Sequence, residues 1–221
     1  MRYSVLCLLW LWAGAAAAHP CAKGKAVTAE APLVLAGIVG PDGTSVAPDV
    51  SPRVTLHAVG KRDRYGRLPV IALGGGTSVQ ERLLLVGEAL AMPGRLPAPC
   101  REALFAAEAR ARAGKRGVWR RSPVERATDP SLRERVNRFA VVAGRVASVG
   151  DRERALYLNF GANWRDDFSV FVSRRDFGRH PEWLRILSAA AGRRVRVRGW
   201  LEDRGGPSMR VRDVGQIELD P

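Results

Sequence analysis

Two short apolar runs with one charged turn between them constrain this chain more than any other feature. Val54-Thr55-Leu56-His57-Ala58-Val59 alternates with strand periodicity, and Leu68-Pro69-Val70-Ile71-Ala72-Leu73 is a second apolar run. Asp63-Arg64-Tyr65-Gly66-Arg67 lies between them, so the pair reads as a β-hairpin. Gly66 supplies backbone angles that other residues avoid. Arg67 then stands at the start of the second strand. Taken alone, the tip is most simply a solvated, basic turn.

Two helices follow. Ser78-Val79-Gln80-Glu81 opens the first, which runs to Gly87. The second runs from Cys100 to Arg112, with Leu104, Ala107 and Ala111 on one face and Glu108 beside them. Gly117-Val118-Trp119 closes the stretch, with Trp119 as core. This order resembles the thermonuclease-like (secreted nuclease) family over residues 33–119. There a DRYGR-type hairpin precedes a "VQ…LL…G.A" helix and an "L…E..AR…G.W" helix. The resemblance implies a five-stranded barrel of the OB type with helices packed on it, and a calcium-dependent phosphodiesterase chemistry.

Residue by residue, the resemblance also implies a damaged site. The family's first catalytic arginine falls on Val34, its metal-binding aspartate on Val39 and its glutamate base on Asp42. The second family arginine is kept as Arg67. Phosphodiester hydrolysis needs cations to stabilise charge on the non-bridging oxygens. Calcium wants several oxygen ligands, which valine does not offer. Arg67 and Asp42 are therefore vestigial catalytic candidates, no metal ligands are assigned, and no cofactor is expected. The family's nucleotide-stacking tyrosines are replaced by Ala91-Met92-Pro93-Gly94-Arg95-Leu96-Pro97. Between Asp42 and Pro52 there is no room for the family's first helix. Arg64 and Tyr65 remain as candidates for nucleic-acid contact at the hairpin tip, where Tyr65 either stacks on a base or covers the turn. Glu108 matches a family glutamate with a structural role, capping or pairing an arginine.

The chain has 221 residues and a formal net charge of +14. That charge suits nucleic acid or another polyanion as a partner. It also has a plainer source, because every basic residue after Lys115 is arginine, a compositional bias of the whole chain. Residues 1–18 read as a signal peptide: Arg2, an apolar stretch from Val5 to Trp12, and the run Ala15–Ala18 before His19. The mature protein is then expected in the periplasm or outside the cell, without a transmembrane segment. Cys7 leaves with the signal, and Cys21 and Cys100 remain. An even pair in an oxidising compartment favours a disulfide, with two free thiols as the alternative.

Residues 19–119 are read as the first domain, 120–138 as a charged linker, and 139–221 as a second OB-like barrel. Its strands are read at Phe139–Val149, Arg154–Phe160, Phe168–Ser173, Arg194–Leu201 and Ser208–Leu219, the last broken near Gly215, with a helix over Asp176–Ala191. Three strands, a helix and two strands is the OB order, and such barrels bind oligonucleotides on strands two and three. The "Gly-x-Val … Tyr-Leu-Asn-Phe-Gly … Phe-Ser-Val" pattern resembles the C-terminal part of some exported thermonuclease-like proteins. Period two puts Leu156, Leu158, Val170 and Val172 inside, with Tyr157 and Phe171 on the other face as stacking candidates. It puts Val195 and Val197 inside, with Arg194, Arg196 and Arg198 outside. That row either tracks phosphates, faces water or packs against the first domain. Trp164 is read as a lid or an inter-domain plug, Asp166-Asp167 as a weak metal candidate, and Gly74-Gly75-Gly76 as a flexible connection. The fold class is therefore α+β, mainly β with packed helices, built as two OB-like barrels. The function expected is nucleic-acid binding or a structural role without catalysis. The alternative is an active calcium-dependent nuclease.

Overall fold

The computed structural model describes residues 19–30, 32–48, 53–121, 124–163 and 166–221. The expected signal segment and Trp164 lie outside the described residues. The fold is mixed α+β, mostly strands in several sheets.

The first unit holds β1 (Lys25–Val27), β2 (Leu33–Leu35), β3 (Gly37–Val39), β4 (Thr55–Ala58), β5 (Leu68–Gly74), β6 (Thr77–Ser78), α1 (Val79–Val86), β7 (Leu90–Met92) and α2 (Ala98–Ala113). Strands β4 and β5 pair antiparallel, from Thr55 opposite Leu73 to Ala58 opposite Val70, as the hairpin reading requires. The sheet runs β1-β4-β5-β2, with β6 also on β5. The triple glycine is not a loose connection. Gly75 and Gly76 both take positive φ and turn β5 directly into β6, a two-residue turn that glycine permits.

Helix α1 starts and stops where its sequence dictates. Ser78 and Glu81 form a reciprocal capping box, and Gly87 ends the helix at φ 74°. Gln80 is buried and ties α1 to β5. It donates to the Val70 carbonyl at 2.9 Å and accepts from the Ala72 amide at 3.3 Å. Leu84 and Leu104 seat the two helices on Leu35, Leu56, Val70 and Ile71. A disulfide joins Cys21 to Cys100, with a Cα–Cα distance of 4.7 Å, and pins the first described residues to the first turn of α2.

The second unit holds β8 (Val124–Arg126), β9 (Phe139–Arg145), β10 (Ser148–Asp151), β11 (Ala155–Asn159), β12 (Ser169–Ser173), α3 (Pro181–Ser188), β13 (Arg194–Asp203), β14 (Pro207–Val211) and β15 (Ile217–Leu219). Its strands pair in the order β10-β11-β12-β14-β13-β9-β8, with β15 also on β13. Strands β12 and β14 are parallel. Only Val146 and Ala147 separate β9 from β10, which lie far apart along this pairing path. The inward face carries Leu156, Leu158, Val170, Val172, Val195, Val197, Leu201 and Met209, with Leu187 of α3 against it.

Three boundaries differ from the sequence reading. The expected helix over Asp176–Ala191 shrinks to Pro181–Ser188, because Pro181 fits a first turn and Gly178 lies before it. The first expected strand breaks at Val146-Ala147. The expected linker carries structure: β8 pairs parallel with β9, and Leu132 is buried in the second unit's core. Its charged residues concealed one apolar anchor.

A third apolar cluster joins the units. Leu90, Ala111 and Trp119 of the first pack with Phe139 and Val141 of the second, and Val39 and Met92 flank them. Gly43 sits at φ 82°, and a Cβ there would lie 2.5 Å from the Phe139 Cβ. Gly215 packs equally closely on the Gly94 backbone.

Candidate functional site

Strands β2 and β5 run parallel with Val34 opposite Pro69, so Val34 and Arg67 lie at neighbouring ends of adjacent strands. Only Arg67 carries a guanidinium, and it is already engaged. Its Nε and Nη2 contact Asp63 Oδ2 at 2.8 and 2.7 Å, and Asp63 Oδ1 accepts from its amide. The Arg67 side chain, then the turn amides, hold the Asp63 carboxyl below the usual range. Asp42 lies on an exposed turn, where Oδ1 accepts from the Thr44 hydroxyl at 2.6 Å and its amide at 3.1 Å. Those bonds, the hydroxyl foremost, hold its carboxyl low.

The residues at these positions do not fit a calcium ion. Val39 brings no oxygen and flanks the apolar cluster between the units. Asp42 is a single carboxylate, and no group of three or more metal-capable side chains occurs among the described residues. Asp166 pairs with Arg133 of another segment, and Asp167 accepts from the Asn163 amide of its own loop. At the hairpin tip Tyr65 is 63% exposed. The guanidiniums of Arg64 and Arg67 lie over its ring at 4.8 and 5.0 Å. Arg64 also donates to its hydroxyl.

The arginine row is corrected by the structure. Arg194 is exposed, but Arg196 is 8% and Arg198 0% exposed. The alternation along β13 holds; the face opposite the core is covered by the first unit rather than by water. Arg198 Nη1 contacts both Glu108 oxygens at 2.9 Å and donates to the Ala91 carbonyl at 2.7 Å. Its Nη2 donates to Glu218. Glu108 also accepts from the Ala91 amide at 2.7 Å. Burial alone would push the Arg198 pKa down, but Glu108 and Glu218 outweigh it and raise it. Arg198 is therefore a structural tie and not a phosphate contact on a free face, and Arg196, paired with Glu218, keeps only an edge at the surface.

The stacking candidates do come together. Tyr157 and Phe171 stand opposite each other on β11 and β12, with ring centroids 5.4 Å apart and edge to face. They border an open groove of about 520 Å³, with Asn159 and Ser169 along the same strands. Two cations missed by the sequence reading, Arg152 and Arg204, line it, while Arg210 beside Phe171 is paired with Asp176 at 2.8 Å. Arg204 lies over the Phe171 ring at 4.9 Å and Arg210 at 5.5 Å. Arg210 faces Phe171 through the parallel β12–β14 pairing, a long-range relation with no local signal. Arg204 stands on the β13–β14 turn, where it also pairs with Glu202.

No protein-family model matches the chain, and no curated protein sequence matches it. Among solved structures, an OBody, AM1L10, bound to hen egg-white lysozyme is similar at 23% identity. The match covers 39% of this chain and 83% of that one, with a TM-score of 0.29. No helix among the described residues is long and apolar enough to cross a membrane.

Proposed function

We propose that this is an exported protein of thermonuclease-like type that does not catalyse, and that it binds single-stranded nucleic acid on its second unit. In this reading both units are OB-type barrels. The β12–β14 parallel pairing and the two-residue step between β9 and β10 support that assignment for the second. The observation that carries the binding function is the Tyr157–Phe171 pair with Arg204 and Arg210 over Phe171. Bases stack on such rings, and nearby guanidiniums meet the phosphates.

Loss of catalysis rests on the turn at Gly40–Thr44 and the segment around Gly94. By the family resemblance these would flank the nuclease groove. Here Gly43 abuts Phe139 and Gly94 abuts Gly215, both of the second unit. Val39 belongs to the same junction.

Fluorescence anisotropy with a labelled oligo(dT) tests the binding. Tight, salt-sensitive binding that weakens in Tyr157→Ala and Phe171→Ala supports it. Binding unchanged in both variants places the contact elsewhere and overturns it.

A further inference from the structure

A second groove lies where the two units meet and shares no lining residue with the groove at the aromatic pair. It encloses about 690 Å³, within the range of small-ligand sites. Six cations line it: Arg112 and Lys115 of the first unit, and Arg126, Arg145, Arg194 and Arg196 of the second. Glu125 is the one carboxylate in its lining, and it is paired with Arg135.

The local charge does not balance. Arg112, Arg196 and Arg198 share two carboxylates, Glu108 and Glu218. The Arg112–Glu108 contact is long, at 3.7 Å, because Arg198 already takes that carboxylate. Lys115, Arg126 and Arg194 make no side-chain ion pair among the described residues. Among the lining residues, Arg112 Nη1, Trp119 Nε1 and Arg196 Nε are buried without a hydrogen-bond partner, and Arg112 Nη1 is directed at Glu108, 3.7 Å away. Burial lowers the Arg196 pKa, Glu218 opposes this, and Arg112 and Arg198 nearby add to the lowering, so a negative ligand would relieve repulsion.

We infer that this junction groove is an anion site for a ligand carrying two or more adjacent phosphate groups. Guanidinium forks match phosphate oxygens in pairs, and exposed Arg126, Arg145 and Arg194 can follow a run of charges beyond the buried Arg196. A single carboxylate would leave most of these cations unmet. No exposed aromatic lines the groove, since Trp119 is 2% exposed, so recognition falls on phosphates and not on bases. Both units supply cations, so the site exists only when they are docked. It is independent of the Tyr157–Phe171 face.

Calorimetric titration of the full chain with inorganic tripolyphosphate tests this. One binding event per chain is expected, weakened about tenfold or more by Arg126→Ala with Arg194→Ala, as lost charge-assisted bonds require. Both residues are exposed, so this variant should melt like the parent. Tyr157→Ala should bind tripolyphosphate like the parent. Displacement by oligo(dT) would identify the ligand as a nucleic-acid backbone; simultaneous binding would identify a free oligophosphate. No heat at millimolar tripolyphosphate, equal affinity in the double variant, or equal competition by sulfate would each overturn the proposal.

Discussion

Arg198 on β13 and Glu108 on α2 form a bridge between the units in which neither side chain reaches solvent. They are 90 residues apart in sequence. The bridge captures Ala91 through both its amide and its carbonyl, so a helix, a strand and the second unit meet at one carboxylate.

Breaking one partner of that bridge should be costly. Arg198→Met leaves Glu108 buried with only the 3.7 Å Arg112 contact, and about 3–5 kcal/mol of stability should be lost; Glu108→Gln should cost less, because Arg198 keeps Glu218. Replacing both together should cost less than the sum, because no buried charge remains unpaired. Urea unfolding of the two single variants and the double variant measures this. Additive losses would show that the residues do not act as a pair.

The Cys21–Cys100 disulfide closes a loop 79 residues long. On the chain-entropy model its removal costs about 4 kcal/mol. Cys21→Ser with Cys100→Ser should lower the urea midpoint accordingly. Thiol titration of the denatured, unreduced protein should find none; two thiols per chain would contradict the pairing.

Stability should fall in acid partly through Glu81. Partial burial opposes its ionisation, but bonds from Ser78 and then His19 outweigh it and hold its carboxyl below the usual range. A carboxyl whose folded pKa is depressed adds stability above the unfolded pKa and loses it as pH falls through the folded value. Glu81→Gln keeps a capping side chain but removes the titration. The variant should show a shallower loss of stability below the glutamate range, measured by denaturation across pH. An unchanged profile would exclude Glu81 as a source.

Tyr157→Ala and Phe171→Ala should each weaken oligo(dT) binding by about 1–3 kcal/mol, the usual worth of one stacked base. Arg204→Ala should lower both the affinity and its salt dependence, since it removes one cation near the strand. Anisotropy at several salt concentrations separates the two effects. A loss in Arg204→Ala with none in the aromatic variants would indicate a purely electrostatic surface.

Local chemistry was readable in the sequence, and long-range relations were not. The hairpin at Asp63–Arg67 and the in–out alternation of β11, β12 and β13 follow from neighbours in sequence. Alternation says which face Arg196 and Arg198 occupy, but not that α2 covers it. Glu108 was legible as a carboxylate awaiting an arginine, while its partner lay in another unit. Arg210 meets Phe171 only through a parallel strand pair, and the basic groove forms only where the units dock. Contacts of that kind depend on topology, which residue spacing does not encode.

Arg67 is held by Asp63, and Val34 and Val39 occupy two decisive positions. Asp42 remains a lone carboxylate on a turn bonded to Thr44. The most direct measurement is cleavage of single-stranded DNA by the purified protein with calcium and with chelator, alongside Arg67→Ala. The expected result is no calcium-stimulated cleavage above background and no difference between the parent and Arg67→Ala. Calcium-driven cleavage in the parent that disappears in Arg67→Ala would contradict it and establish the chain as a nuclease.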